Sequence, residues 1–84
     1  MTWNKSDIRK ARKVPLVPVL VKRGYRLRKL EYDNFRVEKF GSLVVKHHFW
    51  IWKEKNLSGN AIDFFVAVEG LSFRQAMEIL KRYH

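Results

Sequence analysis

Three groups of residues in this sequence have types and spacings that invite chemistry: a histidine pair, a run of alternating aromatics and a string of arginines and lysines. His47 and His48 suggest a metal. Adjacent positions on a strand point to opposite faces, however, and no Asp, Glu or Cys of suitable spacing accompanies them, so we expect a turn with two exposed imidazoles. Phe49-Trp50-Ile51-Trp52 suggests base stacking, because aromatics beside basic residues form platforms for single strands. On a strand, Phe49 and Ile51 face one way and Trp50 and Trp52 the other, and one pair must enter the core. We assign Trp50 as the candidate stacking residue. Arg9, Lys10, Arg12, Lys13, Lys22, Arg23, Arg26, Arg28 and Lys29 are candidates for a phosphate-binding rim. Asp63 stands in an apolar segment, where helix capping explains it better than catalysis. No nucleophile–base pair, Walker loop or acidic metal cluster occurs in the sequence. We therefore expect no enzyme, no catalytic residue and no cofactor.

The distribution of charge says more than its total. The net charge is +10. Residues 1–30 contain every rim candidate and Lys5 against Asp7 alone, for a balance of +9, whereas residues 31–60 carry +1 and residues 61–84 are neutral. A surface tuned only for solubility mixes its signs. The segregated excess points instead to a polyanion or to an acidic protein surface.

Eighty-four residues make one small domain, which buries only about 60–65% of the surface its unfolded chain exposes. With no Cys, neither disulfides nor thiolate-ligated zinc can supplement the core. Three Trp, three Tyr and six Phe are the available substitute. No run of eighteen apolar residues is present, so no membrane partner is expected. The opening MTWNKSDIRK lacks the apolar core of a signal peptide, and the expected location is the cytoplasm.

The elements that must position these residues follow from periodicity and punctuation. Ser6 is a candidate N-cap before DIRKARKV, and Pro15 makes Val14 a boundary. PLVPVLVKRG restarts a helix with Pro15 at its first position, Pro18 still in the first turn and Gly24 as its stop; Leu16, Val17, Leu20 and Val21 form its apolar stripe. From Tyr25 the pattern changes to short strands, with turns at Tyr32-Asp33-Asn34 and Gly41-Ser42 and a closing loop at 54–59. Asn60 caps a helix over 61–69 with Asp63 as its capping-box partner, and Gly70 ends it. Ser72 and Gln75 make a second capping box that opens a helix over 73–82, with a buried stripe of Phe73, Ala76, Met77, Leu80 and Tyr83. The expected fold is α+β in a single domain over 1–84. Its parts are a basic helical segment 6–24, an antiparallel meander of three or four strands over 25–53, and two C-terminal helices.

PLVPVLVKRGY, FWIWK and above all SGNAIDFFVAVEGLSFRQAMEIL carry a resemblance. Over roughly residues 7–82 the chain resembles the zinc-ribbon domain at the N-terminus of bacterial DNA primases. It looks more like the degenerate, metal-free relatives found on plasmids, phages and conjugative elements. In that family a Gly-Gly-Asn-Ala-Ile-Asp-Phe segment follows the last Cys pair. That pair would fall here at Trp52 and Lys55, and the first Cys/His pair near Tyr32 to Val37, where no ligand occurs. The resemblance implies a fold without its metal site, with Trp52 filling the vacated space and Phe35, Phe49, Trp50, Trp52 and Phe64 acting together as its replacement. It further implies a non-catalytic module that holds single-stranded DNA template for a primase, polymerase or helicase of the same mobile element. The alternative is a protein-interaction subunit whose basic face docks an acidic replication partner without touching DNA. A winged-helix-like duplex reader ranks last, because the C-terminal helix is neutral and apolar-striped.

Overall fold

Asn4, not Ser6, opens the chain's first helix. The computed structural model describes residues 3–84. The Asn4 side chain accepts the Asp7 N–H at 2.8 Å, and the Asp7 carboxylate accepts the Asn4 N–H at 3.4 Å. Only a cap at Asn4 puts an acid three residues on, where the reciprocal bond can form. Helix α1 runs Lys5–Arg12 and buries Ala11. Pro15 breaks the chain and itself stands at the N-cap of α2, Leu16–Lys22. The α2 stripe is Leu16, Val19 and Leu20, while Val21 is exposed. The expected stripe thus rotates, because Leu16 N–H donates to His47 C=O at 2.8 Å and sets the helix against the sheet. Gly24 ends it at φ +90°.

The class expected from the sequence, α+β with an antiparallel sheet, is what the chain adopts, but the sheet has five strands where three or four were expected. These are β1 Leu27–Lys29, β2 Asn34–Val37, β3 Val44–Lys46, β4 Phe49–Trp52 and β5 Leu57–Gly59, paired in sequence order. The fifth lies in the segment expected to be a loop. A 3₁₀ turn at Lys53–Lys55 and left-handed Asn56 fold the chain back, so that Trp52 pairs with Leu57 and Trp50 with Gly59. Leu57-Ser58-Gly59 has no β-branched or aromatic residue to announce a strand. Gly59 is required there, since a Cβ would stand 2.5 Å from the Asp63 carboxylate that caps the next helix.

That helix, α3, is Ala61–Asp63 and continues as a π-helix through Phe64–Val68. The Asn60/Asp63 capping box forms, and Gly70 follows at φ +74°. Helix α4, Phe73–Leu80, opens on the Ser72/Gln75 capping box and ends in a 3₁₀ turn at Lys81–Tyr83. Ala76, Met77 and Leu80 are buried as expected, but Phe73, in the first turn of α4, is exposed.

The helices cover one face of the sheet. Val37, Val45 and Trp50 point inward from the strands and meet Leu16, Leu20, Phe64, Phe65 and Met77. Phe64 is the hub. Its ring makes edge contacts with Tyr25, Phe40, Trp50 and Phe65 at centroid distances of 6.2, 6.4, 6.0 and 5.3 Å. The aromatic cluster therefore differs from the expected one. Phe49 points to solvent and Phe35 is half-buried, and Tyr25, Phe40 and Phe65 take their places. No helix among the described residues is long and apolar enough to cross a membrane.

Candidate nucleic-acid interface

The other face of the sheet is open, and its composition follows from the register. Arg28 lies opposite Arg36, Arg36 opposite Val44, Val44 opposite Ile51 and Ile51 opposite Ser58. A second row on the same face runs Asn34, Lys46, Phe49. Rows on one face are about 6.6 Å apart along a strand. Phe49 and Ile51 keep 59% and 45% of their surface exposed. Strand alternation adds Arg26 to this face, beside Glu38, whose N–H donates to the Arg26 carbonyl.

Arg28 and Arg36 are the distinctive pair. Directly opposed residues hold their Cβ atoms about 4.5–5.5 Å apart, and like charges in that position repel. Among the described residues the ion pairs are Arg23–Glu69 and Lys81–Glu78, so neither arginine has a carboxylate to offset the repulsion. Arg36 Nε is buried and makes no hydrogen bond. A guanidinium donor withdrawn from water without a partner is costly, and an anion bridging the two arginines would satisfy it.

The expected rim divides into parts. Arg26 and Arg28 stand on the open face, and exposed Lys29 is at the sheet edge with the opposite parity. Arg9, Lys10 and Arg12 are exposed on α1, which packs against α3 and α4 away from that face. Lys13 follows α1, close enough to the β3–β4 turn to act on His48. Lys22 is exposed at the end of α2.

Arg23 is engaged. Its Nη2 and Nε donate to the two Glu69 oxygens at 2.5 and 3.1 Å, and its guanidinium lies 5.3 Å from the Phe65 ring centre. Tyr25 Oη donates to the same carboxylate at 2.6 Å. The Glu69 hydrogen bond holds the Arg23 pKa above its ordinary value, and burial foremost raises that of Tyr25. This network ties α2 to the end of the π-helix, and its charge is satisfied internally.

Trp50 does not offer a face to a base. It is 3% exposed and its Nε1–H donates to Asn60 C=O at 2.8 Å. The alternation expected along β4 holds, but Trp50 is on its inner face with Trp52, and Phe49, expected in the core cluster, is the aromatic in solvent. Arg36, Lys46, Phe49 and Ile51 are the residues of the face that the sequence reading missed. Their signal was parity, since each sits an even number of positions from a neighbour on the same face of its own strand.

His47 adopts φ +54° in the β3–β4 turn, and its Nδ1 is 2.6 Å from His48 Nδ1. The His48 ring tilts over Phe49 at 4.2 Å. Burial, then His47 and then Lys13, lower the His48 pKa. No group of three or more His, Cys, Asp or Glu among the described residues could hold a metal ion. At the positions where the resemblance would put the second Cys pair, Trp52 packs on Phe40 at 5.3 Å and Lys55 Nζ stands 5.8 Å over the Trp52 ring. Comparison with protein-family models, with curated proteins and with solved structures finds no match.

Proposed function

We propose that this protein is a non-catalytic module that binds single-stranded DNA through the open face of its sheet. The observation that carries the reading is the unpaired Arg28–Arg36 opposition with the buried, unpartnered Arg36 Nε. Phosphates neutralise Arg26, Arg28, Arg36 and Lys46, while Phe49 receives an unpaired base, a division of labour that suits single strands. The net charge of +10 supports it independently by steering a polyanion toward the molecule. The resemblance to primase zinc-ribbon domains supports the further reading of a metal-free, zinc-ribbon-like accessory. Such an accessory works in the cytoplasm and presents template to a primase, polymerase or helicase of a mobile element.

The test is fluorescence anisotropy with a labelled single-stranded oligonucleotide, run beside duplex DNA and RNA of the same sequence. Binding to the single strand should fall by orders of magnitude between about 50 and 200 mM salt. Arg28→Ala and Arg36→Ala should each weaken binding to every sequence and flatten the salt slope by about 0.7. No binding at low salt, or a slope unchanged in both variants, overturns the reading.

A further inference from the structure

A second surface, in the helical layer away from the open sheet face, is left unused by nucleic-acid binding. A groove between α1, the α3 segment and the start of α4 is lined by Ile8, Ile62, Val66 and Phe73, with Arg12 and Asp63 at its margin. Val66 and Phe73 are 41% and 43% exposed, so they leave apolar surface in water, above a buried Ile62 and a half-buried Ile8. A smaller depression continues it along α1, sharing Ile8 and Arg12 and adding Lys5 and Arg9. Lys5, Arg9 and Arg12 are spaced i, i+4, i+7 and therefore form one row along the helix. None of the three has a carboxylate partner among the described residues. The groove thus joins an apolar floor, bordered by Asn60 and Asp63, to a cationic wall.

We propose that this groove receives an acidic amphipathic helix from a partner protein. Apolar side chains at i, i+3, i+4 and i+7 of the incoming helix lie on Ile8, Ile62, Val66 and Phe73, and its carboxylates meet Lys5, Arg9 and Arg12. The α1 wall of eight residues is about 12 Å long, enough to face two turns of a partner helix. The π-helical winding of Phe64–Val68 belongs to the same surface: it keeps Phe64 and Phe65 in the core while Val66 lines the groove, and such segments concentrate at functional sites. A second copy of the chain is the wrong occupant, because two molecules of net charge +10 repel and the one acid on α4, Glu78, is paired with Lys81. A nucleic acid is wrong as well. The wall of Lys5, Arg9 and Arg12 could meet phosphates, but Ile8, Ile62 and Val66 make the floor apolar, a surface that the apolar side chains of a helix cover and a phosphodiester backbone does not. The inference does not depend on DNA binding by the sheet.

The test uses a synthetic helical peptide of about 15 residues, with Leu at i, i+3, i+4 and i+7 and Glu at the flanking positions. A control peptide carries Lys at every Glu position, and binding is read by NMR chemical shifts on the full chain. The Glu peptide should move Ile8, Ile62, Val66 and Phe73 and leave Phe49 and Ile51 in place, and the Lys peptide should not bind. Val66→Asp and Arg12→Glu should each weaken the Glu peptide about tenfold or more, the size of one hot-spot contact, with oligonucleotide affinity unchanged by Val66→Asp. A thermal melt confirms that the variants are folded, and Phe73→Gln serves in place of Val66→Asp should that protein unfold. Equal binding of the two peptides, shifts confined to the sheet face, self-association through the groove or no shift at millimolar peptide would each overturn the proposal.

Discussion

Trp50 and Phe49 are neighbours in sequence with opposite duties, and substitution separates them. Trp50 joins β4 to the N-cap of α3 through the Asn60 carbonyl and fills the core beside Phe64. Trp50→Ala should therefore lose about 3–5 kcal/mol of folding stability in a urea melt. Phe49→Ala should leave the melt unchanged and lose about 1–3 kcal/mol of affinity for single-stranded DNA, the value of one stacked base. A Trp50→Ala protein that melts like the parent, or a Phe49→Ala protein that binds like it, contradicts the assignment. Gly59 belongs to the same account. It stays side-chain-free because Asp63 must reach the Asn60 N–H at 3.0 Å.

At the scale of elements, the β3–β4 turn joins the helices to the open face. Its His47 carbonyl accepts from the start of α2, and its His48 ring backs the exposed Phe49. Burial, helped by His47 and Lys13, holds the His48 pKa below its ordinary 6.5. The unfolded chain then binds the proton more readily than the folded one, so the stability contributed by neutral His48 is present above about pH 6.5 and is lost as pH falls through the depressed folded value. Thermal melts between about pH 8 and pH 5 should show this decline, and His48→Asn should reduce it. The Tyr25 shift acts in the other direction. Its raised pKa leaves stability intact below about pH 10 and removes it as the pH climbs further. Glu54 and Glu78, held below the ordinary carboxylate range by hydrogen bonds from Ser42 and Lys81, act only at more acidic pH. A melt that is flat across the histidine range rules out the His48 contribution.

For the molecule as a whole, the aromatic hub around Phe64 supplies the kind of stabilisation that other small domains draw from a bound metal. A structural zinc contributes on the order of 10 kcal/mol of coupled binding and folding energy. Here Tyr25, Phe40, Trp50, Phe64 and Phe65 interlock, and Trp52 and Lys55 stack where the resemblance would put ligands. Purified protein should contain no stoichiometric zinc by elemental analysis, and a chelator should leave its thermal midpoint unchanged. A midpoint lowered by chelator contradicts metal-free folding.

The helices of this chain were legible because their signals are local. Asn60 with Asp63, Ser72 with Gln75, and Gly24 and Gly70 specify caps and stops within four residues of backbone, and those features formed as read. The α+β class and the uneven charge were legible for the same reason, being properties of periodicity and composition. Four things waited for tertiary structure. β5 exists only because Asn56 turns the chain back onto β4, and its three residues carry no strand preference of their own. The α2 stripe is set by the bond from Leu16 to His47, in a turn far along the sequence. Trp50 went inward because the indole fits beside Phe64 and finds the Asn60 carbonyl, which parity alone could not decide. Arg36 joined Arg28 through register, a pairing between β1 and β2 that places two like charges opposite each other on the open face.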